Sequence, residues 1–120
     1  GGIDAQRFVS ATLINNAVAA NKLKPSLDTY KVLGDGLRYG DKYLEAAEAY
    51  AKAEPFAKNG EILYLKALAL YEGGKYPECK QAATAAAAKG GFERMGENWL
   101  TLGNCELEMD NLPAAKAAYT

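Results

Sequence analysis

Three stretches of this chain are copies of one another: GDKYLEAAEAYAKA (40–53), GGKYPECKQAATAA (73–86) and MDNLPAAKAAYT (109–120). Each centres on one small residue, and those residues, Ala46, Cys79 and Ala115, follow at spacings of 33 and 36. The residues upstream align as well: Tyr30, Leu33, Gly34 and Leu37, then Leu63, Ala67 and Leu70, then Trp99, Leu102 and Gly103. A period in this range gives each copy one supersecondary unit. Such a unit cannot bury its apolar face alone, so neighbouring copies must stack.

Within each copy the apolar residues recur at i, i+3, i+4 and i+7, alanine is abundant, and β-branched alternation is nearly absent. Gly, Pro, Asn and Asp punctuate the pattern near 22–28, 40–42, 54–60, 73–75, 89–96 and 110–111. This predicts about seven helices and no strands, with the helices in antiparallel pairs. Two helices joined by a tight turn pack closely only where small residues let the backbones approach. Gly34, Ala67 and Gly103 on the first helices are expected to face Ala46, Cys79 and Ala115 on the second. A helical glycine costs up to ~1 kcal/mol relative to alanine, so Gly34 and Gly103 call for such a reason.

The period and these residues resemble the tetratricopeptide repeat. The first unit matches it most fully, through Tyr30, Leu33, Gly34, Leu37, Ala46, Tyr50 and Ala53. Lys66, Ala83 and Glu106 depart from it, and the third unit stops before its final alanine. The resemblance implies an all-α fold, an α-α superhelix of about three helix-turn-helix repeats plus an N-terminal helix. The repeats would occupy 27–59, 60–94 and 95–120, the last one truncated, and 3–26 would form the N-terminal helix or a degenerate repeat. Residues 1–120 would then be a single domain and a piece of a longer protein.

Composition narrows the chemistry. Hydrophobic residues make up 49% and charged residues 24%, which argues against disorder, and a net charge of −1 offers no broad basic surface for nucleic acid. No apolar run is long enough for a membrane span. The chain has no histidine, the usual general base and imidazole ligand, so Ser10, Ser26 and the threonines lack a proton acceptor for nucleophilic work. GDGLRYG (34–40) lacks the strand and spacing of a phosphate loop. KGGFERMGE (89–97) reads as a flexible joint between helices rather than an anion site. Glu106, Glu108 and Asp110 read as a solvated or partner-facing edge, since residues two apart on a helix do not converge on a metal. The expectation is a protein that is not an enzyme and uses no cofactor. Cys79 and Cys105 fall inside apolar-periodic segments and are expected to be free, buried core residues, with a disulfide or a reactive thiol the alternative.

The tetratricopeptide resemblance further implies that the first helices line a concave groove for a partner peptide or helix. The residues mapped to it are Lys31, Val32, Asp35, Arg38 and Tyr39, then Tyr64, Leu65, Leu68 and Tyr71, then Leu100, Thr101, Asn104, Leu107 and Glu108. The subclass that clamps acidic chaperone tails needs Lys, Asn and Arg where Asp35, Leu65, Glu97 and Thr101 stand, and is excluded. The expected function is a protein-protein interaction scaffold with a protein or peptide partner. The alternative is a structural spacer whose groove is covered by the same chain. Self-association through the unfinished C-terminal end is a corollary. KGGFERMGENWLTLGNCELEMDNLPAAKAAY (89–119) is also similar to bacterial periplasmic repeat proteins associated with TonB-type energy transduction, which implies the periplasm rather than the cytoplasm.

Overall fold

The structure, a computed structural model, describes residue 14 and residues 24–119, with side chains at 14 and 24–110. The expected N-terminal helix over 3–26 lies outside these residues except for Ile14, which packs near Leu33 and Ala49, and the approach to Ser26. The roles expected for Ala115 and Tyr119 side chains also lie outside them. The described residues form five α-helices and no strand, so the fold is all-α. Helix α1 spans Leu27–Tyr39, α2 Tyr43–Ala53, α3 Glu61–Glu72, α4 Tyr76–Lys89 and α5 Met95–Tyr119, with a 3₁₀ turn at Glu54–Phe56 after α2. Each helix packs on the next in chain order, and α3 also touches α5.

Local chemistry sets the boundaries. Ser26 caps α1 by accepting a hydrogen bond from the Thr29 N–H at 3.2 Å. The ends of α1 and α3 are built alike, 33 residues apart. Gly40 and Gly73 close the helices through their N–H groups, and Asp41 (φ 62°) and Gly74 (φ 79°) take the left-handed conformation. The Lys42 and Lys75 N–H groups then reach back to the Leu37 and Leu70 carbonyls, both at 2.8 Å. Pro77 falls in the first turn of α4, where a missing N–H is tolerated.

The third turn differs from expectation. Helix α5 runs without interruption from Met95 to Tyr119, straight through the anticipated break at 110–111. The described residues therefore contain two helical hairpins and one long helix rather than three hairpins. The glycine that ends α1 and α3 has no counterpart here, because Met109, a good helix former, takes the position of Gly40 and Gly73. Asp110 and Asn111 cost a helix only tenths of a kcal/mol, and α5 also runs through Pro113, which removes one backbone N–H and costs a helix interior about 3 kcal/mol.

Small residues make the closest helix contacts. Ala46, Ala53, Ala67, Cys79, Ala83 and Ala86 are each 0% exposed. Gly34 meets Tyr50, one turn beyond the Ala46 the repeat suggested. A methyl group built on Gly34 would lie 2.5 Å from Tyr50 Cε1, a distance real carbon contacts do not reach. Around Gly103 no described residue lies within 4 Å of a methyl group built there, and Ala115, its expected partner, lies outside the described side chains.

The cysteines are not free. Cys79 of α4 and Cys105 of α5 form a disulfide with a Cα–Cα separation of 6.3 Å, and both are fully buried. The sequence placed them correctly in the core. Their pairing depends on how α5 lies against α4, which spacing alone does not specify.

Ala46→Leu and Gly34→Ala should each destabilise the protein by about 1–3 kcal/mol through overpacking. Gly103→Ala should stabilise it by up to ~1 kcal/mol through helix propensity. Urea unfolding of the three variants checks these signs, and a stabilised Gly34→Ala would overturn the packing described. Replacing both cysteines with alanine opens a link across 26 residues and should cost about 2–4 kcal/mol. Because both sulfurs are buried, dithiothreitol in native buffer should reduce the bond no faster than the protein opens. Thiol titration over time measures this.

Candidate interaction surface

The residues mapped to the groove separate into three groups. Those on α1 form a polar network. Lys31 Nζ sits 3.9 Å from Asp35 Oδ2, and the Tyr50 hydroxyl donates to Asp35 Oδ1 at 2.5 Å. Arg38 Nε donates to Glu72 Oε1 at 2.5 Å, joining the end of α1 to the end of α3. Burial alone would lower the Arg38 pKa, but the hydrogen bond and charge of Glu72, with Tyr50 and Tyr39 nearby, raise it above its ordinary value. Burial, then the charge and hydrogen bond of Asp35, push the Tyr50 hydroxyl well above its ordinary range. These charges are satisfied within the chain and are only half exposed, so they present little net charge to a partner. Tyr39 lies at the exposed margin of the cluster.

The middle group overturns the expected open aromatic centre. Tyr64 and Leu65 are 5% and 4% exposed and belong to the core. The joint after α4 is the reason. Gly90 and Gly91 adopt positive φ, the Gly60 N–H donates to the Gly90 carbonyl at 2.8 Å, and the chain folds back over the start of α3. Phe92 stacks on Tyr64 with ring centroids 6.1 Å apart, and the Arg94 guanidinium lies 6.0 Å from the Tyr64 ring centre. KGGFERMG is therefore a packed flap rather than an open joint. Leu65 is buried in the core cluster that also holds Cys79 and Cys105. Leu68 and Tyr71 are half-buried, with Tyr71 against Tyr76 at 5.9 Å between ring centroids.

The last group is open. Leu100 and Leu107 are 65% and 59% exposed, and Asn104 is half-exposed. Thr101, also mapped to the groove, is buried and donates to the Glu97 carbonyl at 2.9 Å. Trp99 was expected to pack inward with Leu102 and Gly103, yet it is 55% exposed. The inward face of α5 is instead Asn98, Thr101 and Cys105, at i, i+3 and i+7. Asn98 is fully buried and donates from Nδ2 to the Ala83 carbonyl at 2.9 Å. A reading based on apolar periodicity missed this face because its residues are small or polar. The signal was their helical spacing.

At about 100° per residue, Trp99, Gly103, Leu107 and Leu100 cover one side of α5, directly opposite Asn98, Thr101 and Cys105. Glu106 sits about 20° outside Trp99 and Asp110 falls between Trp99 and Gly103, while Glu97 and Glu108 lie about 60–80° beyond Leu100, past Asn104. Because α5 continues beyond them, Glu106, Glu108 and Asp110 are mid-helix residues rather than a C-terminal acidic edge.

Clefts among the described residues lie elsewhere. One of about 340 Å³ is lined by Asn59, Glu61 and Gly91–Arg94, and one of about 370 Å³ runs between Leu44, Ala47, Lys66 and Leu70. Neither gathers an acid, a base and a nucleophile. Among the described residues no three metal-ligating side chains converge, and no helix is long and apolar enough to cross a membrane. No family model matches the chain, and no curated protein or solved structure is significantly similar to it.

Tyr50 generates a prediction about pH. Its folded pKa lies above the ordinary value of about 10, so the unfolded chain loses this proton first. The stability it contributes is complete below that value and is lost as pH rises toward the folded pKa. Tyr50→Phe should flatten the alkaline decline in stability above about pH 10, at a cost of ~1 kcal/mol near neutrality. Urea midpoints across that range check it, and an unchanged slope would contradict it.

Proposed function

We propose that this chain is a protein-binding module of the tetratricopeptide type, without catalysis and without a cofactor. The two hairpins that repeat the same turn 33 residues apart support the repeat reading. The observation that carries the binding function is the outward face of α5. A tryptophan and two leucines stand more than half exposed on one side of a helix whose opposite side is locked into the core. Large aromatic residues of this kind anchor protein interfaces. The binding surface is then the α5 end of the expected groove, through Leu100 and Leu107, rather than its aromatic centre. The buried disulfide supports an oxidising compartment, in keeping with the bacterial periplasm.

A second reading has its own observation. Gly103 and Trp99 hold the register of Gly34 and Tyr30, the positions through which α1 receives α2. The same face would serve a spacer in a longer solenoid, covered by a further helix of that chain.

Selection of a displayed peptide library against the protein tests the binding reading. Peptides should be recovered that lose at least tenfold in affinity, about 1.4 kcal/mol, when Leu100→Asp and Leu107→Asp are combined. The double variant should melt as the parent does, because both residues are exposed. Binders indifferent to these changes would sink the assignment.

A further inference from the structure

We infer that the outward face of α5 docks a basic amphipathic helix, which lies across Gly103 with its apolar side on Trp99, Leu100 and Leu107. The inference rests on the interaction-module reading and names the partner of that surface.

The shape of the face selects a helix. Trp99 to Leu107 spans eight residues, roughly 12 Å along the axis, which about two to three helical turns cover. Among the described residues nothing lies within 4 Å of a methyl group built on Gly96 or Gly103, so none of them blocks a close approach to the backbone of α5. The first hairpin shows what such approach looks like. There the partner helix sets the Tyr50 ring against Gly34, at the register position that Gly103 occupies in α5.

The charge of the face selects the sign. From Met95 to Asp110, α5 carries four acids, Glu97, Glu106, Glu108 and Asp110, and no base. Glu106 and Asp110 stand beside Trp99, Glu97 and Glu108 lie on the flank beyond Leu100, and none forms an ion pair among the described residues. Asp35 of α1 and Glu72 of α3 are different, because they are already engaged by Lys31 and Arg38. A helix with Lys or Arg flanking its apolar side would meet both groups of acids at once. An acidic helix would be repelled by both. Electrostatic matching of this kind sets partner choice more than raw affinity.

Trp99 is the single tryptophan, so its emission reports this face alone. The probe is a stapled peptide with the sequence of α2, Tyr43–Ala53, carrying Glu45→Lys and Glu48→Lys; the control keeps both glutamates. The free protein should show the emission of a solvent-exposed indole. The basic peptide should shift it to shorter wavelength and bind about tenfold tighter than the acidic one at low salt. That preference should shrink in 0.5 M salt, where the Debye length is only about 4 Å. Glu106→Lys combined with Asp110→Lys should weaken or reverse it. Equal affinity for both peptides would overturn the charge assignment while leaving the binding module standing. An exposed indole that neither peptide shifts would sink both readings. Emission already buried and independent of concentration would mean that the chain's own residues cover the face. Emission that becomes buried together with a doubling of mass would mean that a second copy does. Either outcome overturns the inference.

Discussion

The bond between Cys79 and Cys105 determines how α5 is turned. Helix α5 packs through Asn98, Thr101 and Cys105, with Leu102 the one large apolar residue among positions 98–105 set against the core. The disulfide and the Asn98 hydrogen bond to the Ala83 carbonyl hold this orientation. Trp99, Leu100 and Leu107 are thereby kept on the outside. The surface available to a partner follows from these two links.

The same logic runs through the rest of the molecule. Its interfaces are dominated by alanine and glycine, which let helices approach closely but remove less apolar area from water than leucine would. Directional links supplement them. Tyr50 fills the space that Gly34 leaves and ties its hydroxyl to Asp35, and Arg38 bridges to Glu72 across the two hairpins. Lys89 of α4 reaches Glu54 at 2.9 Å, and the flap at 90–94 closes over Tyr64. Each of these pairs residues far apart in sequence, and together they stitch successive helices into one body.

What could be read in advance followed local rules. The all-α class, the hairpin turns at 40–42 and 73–75, and the small residues at Ala46 and Ala67 follow from periodicity and glycine chemistry. Legibility failed where two local tendencies were nearly balanced or where a side chain had a choice of neighbours. At 110–111 the turn residues were present but the terminating glycine was not, so the helix continued. Tyr64 and Leu65 looked like surface residues by register, because register does not reveal that the joint after α4 folds back. Trp99 looked like a core residue because large aromatic residues usually are. The rotation of α5 was set by three small or polar residues instead.

By itself, the sequence determined the helical units, their 33-residue echo, the first two turns and the lack of a histidine-based chemistry. These depend on backbone propensity and residue spacing within a few turns, which any stretch of chain expresses locally. Only the tertiary structure decided the disulfide, the rotation of α5, the burial of Tyr64 and the face left bare at Trp99, Leu100 and Leu107. Each depends on how helices distant in sequence lie against one another, and because neighbouring residues point about 100° apart, a rotation by one residue's arc would carry Trp99 into the place of Asn98.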